Sequence, residues 1–185
     1  TVAAVLKDCD IPAHVESNTG YFSSYEIQVI LSMLRILDNP LQDIPMAAVL
    51  ASPIVGMDDE ELAQIRSAFK GVSFAQAALS AMAGEDGYED EKLKAFALVF
   101  ERLRGAVADT PIHELLYMIL DETGFYRYAS AMPAGKRRRQ NIDMLIEMAA
   151  AYEKTSYKGL FHFVRYIDIQ LSLIHISEPT RPRLI

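Results

Sequence analysis

Tyr21-Phe22-Ser23-Ser24-Tyr25-Glu26-Ile27-Gln28-Val29-Ile30-Leu31-Ser32-Met33-Leu34-Arg35-Ile36-Leu37-Asp38-Asn39-Pro40 is the stretch that decides the fold class. Ile27, Ile30, Leu31, Leu34 and Leu37 recur at helical spacing and share one face. Ser23, with Glu26 three residues on, reads as a capping box and predicts a helix over about residues 24–38. Asn39-Pro40 ends it, because proline disfavours helical angles at the residue before it. A short helix over 44–50 follows, and Pro53 and Gly56 then make a turn. Phe22 and Tyr25, at the start of the long helix, either pack as staple and core residues or offer rings on which bases stack.

The same signals continue along the chain. Asp58 and Glu61 form a second capping box before Leu62, Ile65 and Phe69, and Gly71 stops that helix. Ser73 with Gln76 starts another, which ends at Gly84. Residues 85–91 are acidic and contain glycine, so they read as a surface loop. Leu93, Phe96, Ala97, Phe100, Leu103 and Val107 make the clearest apolar stripe. Thr110-Pro111 reads as a cap with proline at the first helical position of a helix ending near Gly124. Pro133-Ala134-Gly135 breaks the chain before a long helix over 136–152, with Ile142, Leu145, Ile146, Ala149 and Tyr152 on one side. Ser156 caps a last helix that turns Leu160, Phe163, Val164 and Ile167 inward. Residues 1–8 read as the end of a helix, and Ile11-Pro12-Ala13-His14-Val15 is the one convincing strand candidate. No fixed repeat period is visible, which argues against a solenoid. The expected architecture is all-α, a multi-helix domain of roughly eight helices preceded by a short N-terminal stub of something else.

A hydrophobic content of 51% is ample for a packed core in 185 residues. The formal net charge of −7 makes the chain as a whole a poor ligand for phosphate, so any nucleic-acid contact must come from a local patch. Cys9 is the only cysteine, which excludes an internal disulfide and a cysteine zinc site and suits a reducing cytoplasm. No apolar run approaches the eighteen or so residues of a membrane span. Leu171-Ser172-Leu173-Ile174-His175-Ile176-Ser177-Glu178-Pro179-Thr180-Arg181 resembles a translated sequencing adapter. Residues 171–185 are therefore expected to be an artefact, with the natural sequence stopping near Gln170, and they take no part in the functional reading.

The motifs that carry chemistry are mostly missing. There is no G-x-x-x-x-G-K followed by Ser or Thr to cradle phosphates, so no ATP site is expected in this segment. His113-Glu114-Leu115-Leu116-Tyr117 begins like a zincin helix, but Tyr117 stands where the second histidine must be, and one ligand makes no zinc site. No catalytic, cofactor-binding or metal-binding residue is expected. Lys136-Arg137-Arg138-Arg139 is the one dense basic cluster. It lies at the first turn of a helix, the less favourable end for cations. It is either a solvated helix start or a set of phosphate contacts.

Two blocks of the sequence carry a family resemblance. The first holds Tyr21, Phe22, Glu26, Gln28, Val29, Asp38-Asn39-Pro40, Gln42-Asp43-Ile44-Pro45, Ala47-Ala48-Val49-Leu50, Ser52-Pro53 and Val55-Gly56. The second holds Arg138, Asn141, Ile142 and Leu145, and then Tyr152-Glu153-Lys154-Thr155-Ser156-Tyr157-Lys158-Gly159-Leu160-Phe161. In this order they resemble UvrD-like DNA helicases of superfamily 1, and among these the AddA type of helicase–nuclease. The resemblance implies a piece of an ATP-driven 3′ to 5′ DNA helicase with a nuclease domain elsewhere, acting in double-strand-break repair. Residues 1–20 would end the first part of the RecA-like motor domain 2A. Residues 21–170 would be the helical 2B-type subdomain, which helps to engage the duplex and has no active site of its own. ATP and Mg2+ are implied for the intact protein only. The implied partners are DNA at a single-strand/duplex junction and a second helicase–nuclease subunit, with no membrane. Phe22, Glu26, Asn39, Pro40, Asp43, Pro53, Gly56 and Asn141 would be structural motif residues, and Lys136, Arg137, Arg138, Arg139 and Tyr25 the DNA-contact candidates. Arg138 and Asn141 would either tie the helical insert to the motor core or touch DNA. Many UvrD-like proteins carry a glycine-rich loop at the Pro53–Gly56 turn; here Asp58 would repel phosphate, which puts duplex gripping at this turn in doubt. The competing reading is an all-α protein–protein interaction module with no nucleic-acid role. A stand-alone enzyme is a third reading, and no motif supports it.

Overall fold

The computed structural model describes residues 18–155 and 159–176, and every regular element among them is a helix. The chain is all-α, with α1 (Asn18–Phe22), α2 (Tyr25–Asp38), α3 (Asp43–Ala51), α4 (Asp59–Ala68), α5 (Phe74–Met82), α6 (Glu91–Ala106), α7 (Ile112–Thr123), α8 (Phe125–Ala131), α9 (Gly135–Tyr152) and α10 (Leu160–Ile176). A short 3-10 turn over Glu85–Gly87 precedes α6. The strand candidate at 11–15, most of the N-terminal stub and the Ser156 cap lie outside the described residues.

α2 is the axis of the fold. The expected single apolar face understates it, because Val29, Met33 and Ile36 are buried together with Ile27, Ile30, Leu31, Leu34 and Leu37. A helix that is apolar nearly all round belongs in an interior. α1, α3, α6, α9 and α10 all pack against it. One side of the domain is the α3–α4–α5 cluster, and the other is α7, α8 and α9. α6 closes the gap, with Leu93, Phe96, Phe100 and Leu103 buried. α10 runs past Gln170 to Ile176, since no glycine or proline interrupts it, and Leu171 packs against the core.

Local signals set most boundaries. Asn39 is extended at φ −139° ahead of Pro40 and ends α2, its N–H bonded to the Arg35 carbonyl at 2.8 Å. Asp58 and Glu61 close a full capping box on α4. Ser73 caps α5 through the Gln76 N–H. Two expectations fail. The N-cap of α2 is Ser24, whose hydroxyl donates to the Tyr21 carbonyl at 2.6 Å instead of capping. Glu26 does not complete a box, because tertiary partners take its carboxylate. Pro111 is itself the N-cap of α7, so the helix begins at Ile112, one residue later than expected.

The α8–α9 junction positions the basic cluster. Ala134 takes left-handed angles (φ 59°), which cost an L-residue about 1–2 kcal/mol. At Gly135 an added Cβ would sit 2.0 Å from the Ser130 carbonyl oxygen. The start of α9 thus rests directly on the backbone at the end of α8. Gly135→Ala is expected to destabilise the domain by about 1–3 kcal/mol, read as a lower urea midpoint, because neither backbone has room to yield.

Candidate nucleic-acid interface

α9 does not present its cationic turn as a block. Lys136, Arg137 and Arg139 are exposed, and none of them makes an ion pair among the described residues. Arg138 turns inward. Its guanidinium donates to Glu26 Oε2 at 2.5 Å and, through Nε, to the Pro133 carbonyl at 3.1 Å. Asn141, one turn further on, donates to Glu26 Oε1 at 2.6 Å. The Tyr21 hydroxyl donates to the Asn141 carbonyl at 3.0 Å. Arg138 and Asn141 therefore fasten α9 to α2 within the domain, and the side chain of Arg138 is committed to that pair.

Glu26 is only 1% exposed, so its charge needs this company. Burial pushes its carboxyl pKa up. The hydrogen bonds from Asn141 and from backbone, with the charge and hydrogen bond of Arg138, outweigh that push and hold it below the usual glutamate value. Burial first, and the Glu26 charge second, drive the Tyr21 hydroxyl well above its normal range.

The other motif residues are structural in placement. Phe22 is 3% exposed and meets Tyr21 edge-on at 4.9 Å, so it is a core ring. Asn39 Oδ1 accepts from the Leu41 N–H, and Pro40 is buried. Asp43 reaches across to α5, where its carboxylate accepts from the Ala75 N–H at 2.9 Å; backbone bonds from Ala75 and Phe74 hold its pKa low. Pro53 is half-buried in the turn that Gly56 closes at φ +76°. Lys92 donates to the Gly56 carbonyl and to Glu61, which pins the turn to α4 and α6. His113 is held by Glu153 at 2.5 Å, and no group of three His, Cys, Asp or Glu side chains suited to a metal occurs among the described residues.

Tyr25 is 43% exposed and lies close enough to Tyr128 and Arg138 to feel both electrostatically. Tyr128 belongs to α8, a helix that the sequence pattern does not reveal. The run Phe125-Tyr126-Arg127-Tyr128 puts Arg127 and two more tyrosines beside the basic turn. Three aromatic residues around one arginine between Gly124 and Pro133 were the available signal.

Fold and site together define an all-helical domain with a basic, tyrosine-rich corner. No family model matches the chain. Curated relatives do match it. It is 43% identical over 161 residues to the A subunit of the ATP-dependent helicase/nuclease of Anoxybacillus flavithermus, a span of 86% of this chain and 13% of the relative. The proteins of the same name from Bacillus cytotoxicus (41%, covering 88% of this chain and 13% of the relative) and Oceanobacillus iheyensis (38%, covering 91% and 14%) align similarly. The chain belongs to this family, the A subunits (AddA) of ATP-dependent helicase/nucleases. It spans 13–14% of the length of these relatives.

Removing Arg138 leaves the buried Glu26 charge without its counter-charge. Arg138→Ala is expected to cost about 3–5 kcal/mol in urea unfolding. Because the folded Glu26 pKa is depressed, its stabilisation is present above the unfolded value near ~4.3 and is lost as pH falls through the lower folded value. The acid limb of stability against pH should flatten in Glu26→Gln; an unchanged limb would show that the carboxylate is not the titrating group.

Proposed function

We propose that this chain is the helical accessory domain of an AddA-type ATP-dependent helicase/nuclease, and that its α8–α9 corner engages DNA. The observation that carries the reading is the 38–43% identity over 86–91% of the chain to relatives of that name. In this reading residues 21–170 are a 2B-type subdomain and residues 1–20 are the end of the first part of motor domain 2A. The intact protein unwinds DNA 3′ to 5′ in the cytoplasm, processes broken ends with a second subunit, and draws on ATP and Mg2+ bound elsewhere. The Pro53–Gly56 turn does not suit the phosphates of ATP. The backbone N–H groups of Val55, Gly56 and Met57 already donate to the Ser52 and Leu50 carbonyls, and Asp58 is closed in a capping box, so the Pro/Gly turn offers no phosphate cradle. No helix among the described residues is long and apolar enough to cross a membrane.

A second reading, a protein-docking module, draws on Leu41 and Ile44, which stand 56% and 83% exposed beside the α2–α3 groove. Segment exchange separates the two. Replacing the homologous segment of the Anoxybacillus flavithermus protein with residues 1–170 of this chain should preserve ATP-dependent unwinding, whereas deleting the segment should abolish it. A folded, ATP-hydrolysing chimera that no longer unwinds DNA overturns the proposal. In the active chimera, Lys136→Glu with Arg137→Glu should weaken DNA binding and lower the salt slope by about one to two units, roughly 0.9 for each phosphate no longer neutralised.

A further inference from the structure

The corner holds more than cations. α7, α8 and α9 enclose an open groove walled by Tyr117 and Tyr126, with Arg127, Asp121 and Asp143 around it and Leu120 and Ile146 beneath. Tyr117 is 57% exposed, so its ring is open to a ligand in the groove. Tyr126 is half-buried and donates its hydroxyl to Asp143 Oδ1 at 3.2 Å. Its pKa is raised by burial and then by Asp143, so the hydroxyl stays protonated, while Arg139 is near enough to pull the other way. Arg139 stands four residues before Asp143 on α9, on the same helix face, which places the end of the basic turn next to the groove.

Each part suits one part of a nucleotide. An exposed tyrosine ring gives a base a face to stack on. Arg127 and Arg139 offer donors for a phosphate at the rim. Asp121 and Asp143 are acceptors only and would repel a phosphate, but they would accept from the exocyclic amine of a base. A base with its edge toward the carboxylates and its backbone along the arginines satisfies all of these groups. Within a duplex the base faces are stacked and cannot do this, so the ligand is a single strand.

We propose that the Tyr117–Tyr126 groove is a base-binding subsite for single-stranded DNA, selective for bases with an exocyclic amine, with Arg127 and Arg139 holding the adjoining backbone. The proposal rests on the DNA-engaging reading of the corner, and it adds strand form, base preference and residues outside the cluster at 136–139.

The test is fluorescence anisotropy with oligo-dC, oligo-dT and a duplex of equal length, on the 185-residue chain and on the chimera. The expected order is oligo-dC tightest, oligo-dT weaker because it lacks an exocyclic amine, and duplex weakest. Tyr117→Ala should weaken oligo-dC binding about tenfold, and Tyr117→Phe should restore it. Arg127→Glu with Arg139→Glu should reduce the salt slope by about one to two units. Asp143→Asn should erase or invert the dC-over-dT preference, because an amide can also donate to thymine oxygens. These side chains are exposed or lie at the groove rim, and circular dichroism checks that each variant stays folded. Equal binding of the two oligonucleotides, no binding by the folded proteins, or variants that match the parent all overturn the subsite. Variants that bind DNA normally but fail to assemble with the second subunit of the complex overturn it too and assign the groove to protein contact. In each of these cases unwinding by the unmodified chimera still decides the proposed function separately.

Discussion

A carboxylate that is nearly sealed from water must either lose its charge or be fully engaged. Glu26 takes the second course. Its two oxygens are occupied by Arg138 and Asn141, which follow it by 112 and 115 residues. Desolvating such a pair costs much of what the pairing returns, so its value lies less in net stability than in specificity. α9 can dock on α2 in one rotation only, the one that meets both oxygens. Any other rotation would bury the Glu26 charge without partners.

That constraint shapes the surface. Four consecutive residues on a helix point in four directions, about 100° apart. Once Arg138 is fixed inward, the directions of Lys136, Arg137 and Arg139 follow. The left-handed Ala134 and the contact of Gly135 with the Ser130 carbonyl set where that turn leaves α8. The result is three outward cations flanked by the tyrosines of α8. Placing cations at the positive end of a helix carries a small electrostatic cost, which a bound anion would offset.

The features that were legible from sequence are those that local chemistry decides. Pro40 after Asn39, the Asp58–Glu61 box, Ser73 with Gln76 and glycine after the last turn each depend on neighbours within four residues, and each bounds a helix as expected. The misreadings have a common cause in distance. Ser23 and Glu26 fit a box locally, but Glu26 answers to α9. Asp43 sits in the first turn of its own helix and also caps another, 32 residues away. α8 is hidden in the sequence because seven residues between two breakers are too few for a period to show. The basic cluster is visible as composition, yet nothing in four adjacent letters says which one faces inward. The groove needs three helices, one of them unforeseen, so only Tyr25 among the exposed tyrosines stands out from the sequence.

The acidic balance and the basic corner fit together. Several carboxylates outside the corner are bound into structure: Asp58 and Glu61 in a capping box, Glu61 again with Lys92, and Asp43 on the N-terminus of α5. Neutralisation of this kind is local and leaves the −7 total unchanged. The long-range field therefore repels a DNA backbone from most of the surface and attracts it only where cations cluster within about a Debye length, roughly 8–10 Å at ordinary salt. A uniformly basic domain would hold DNA in many poses. An acidic one with a cationic edge would hold it in few, which is the property that the proposed DNA-engaging role of the corner calls for.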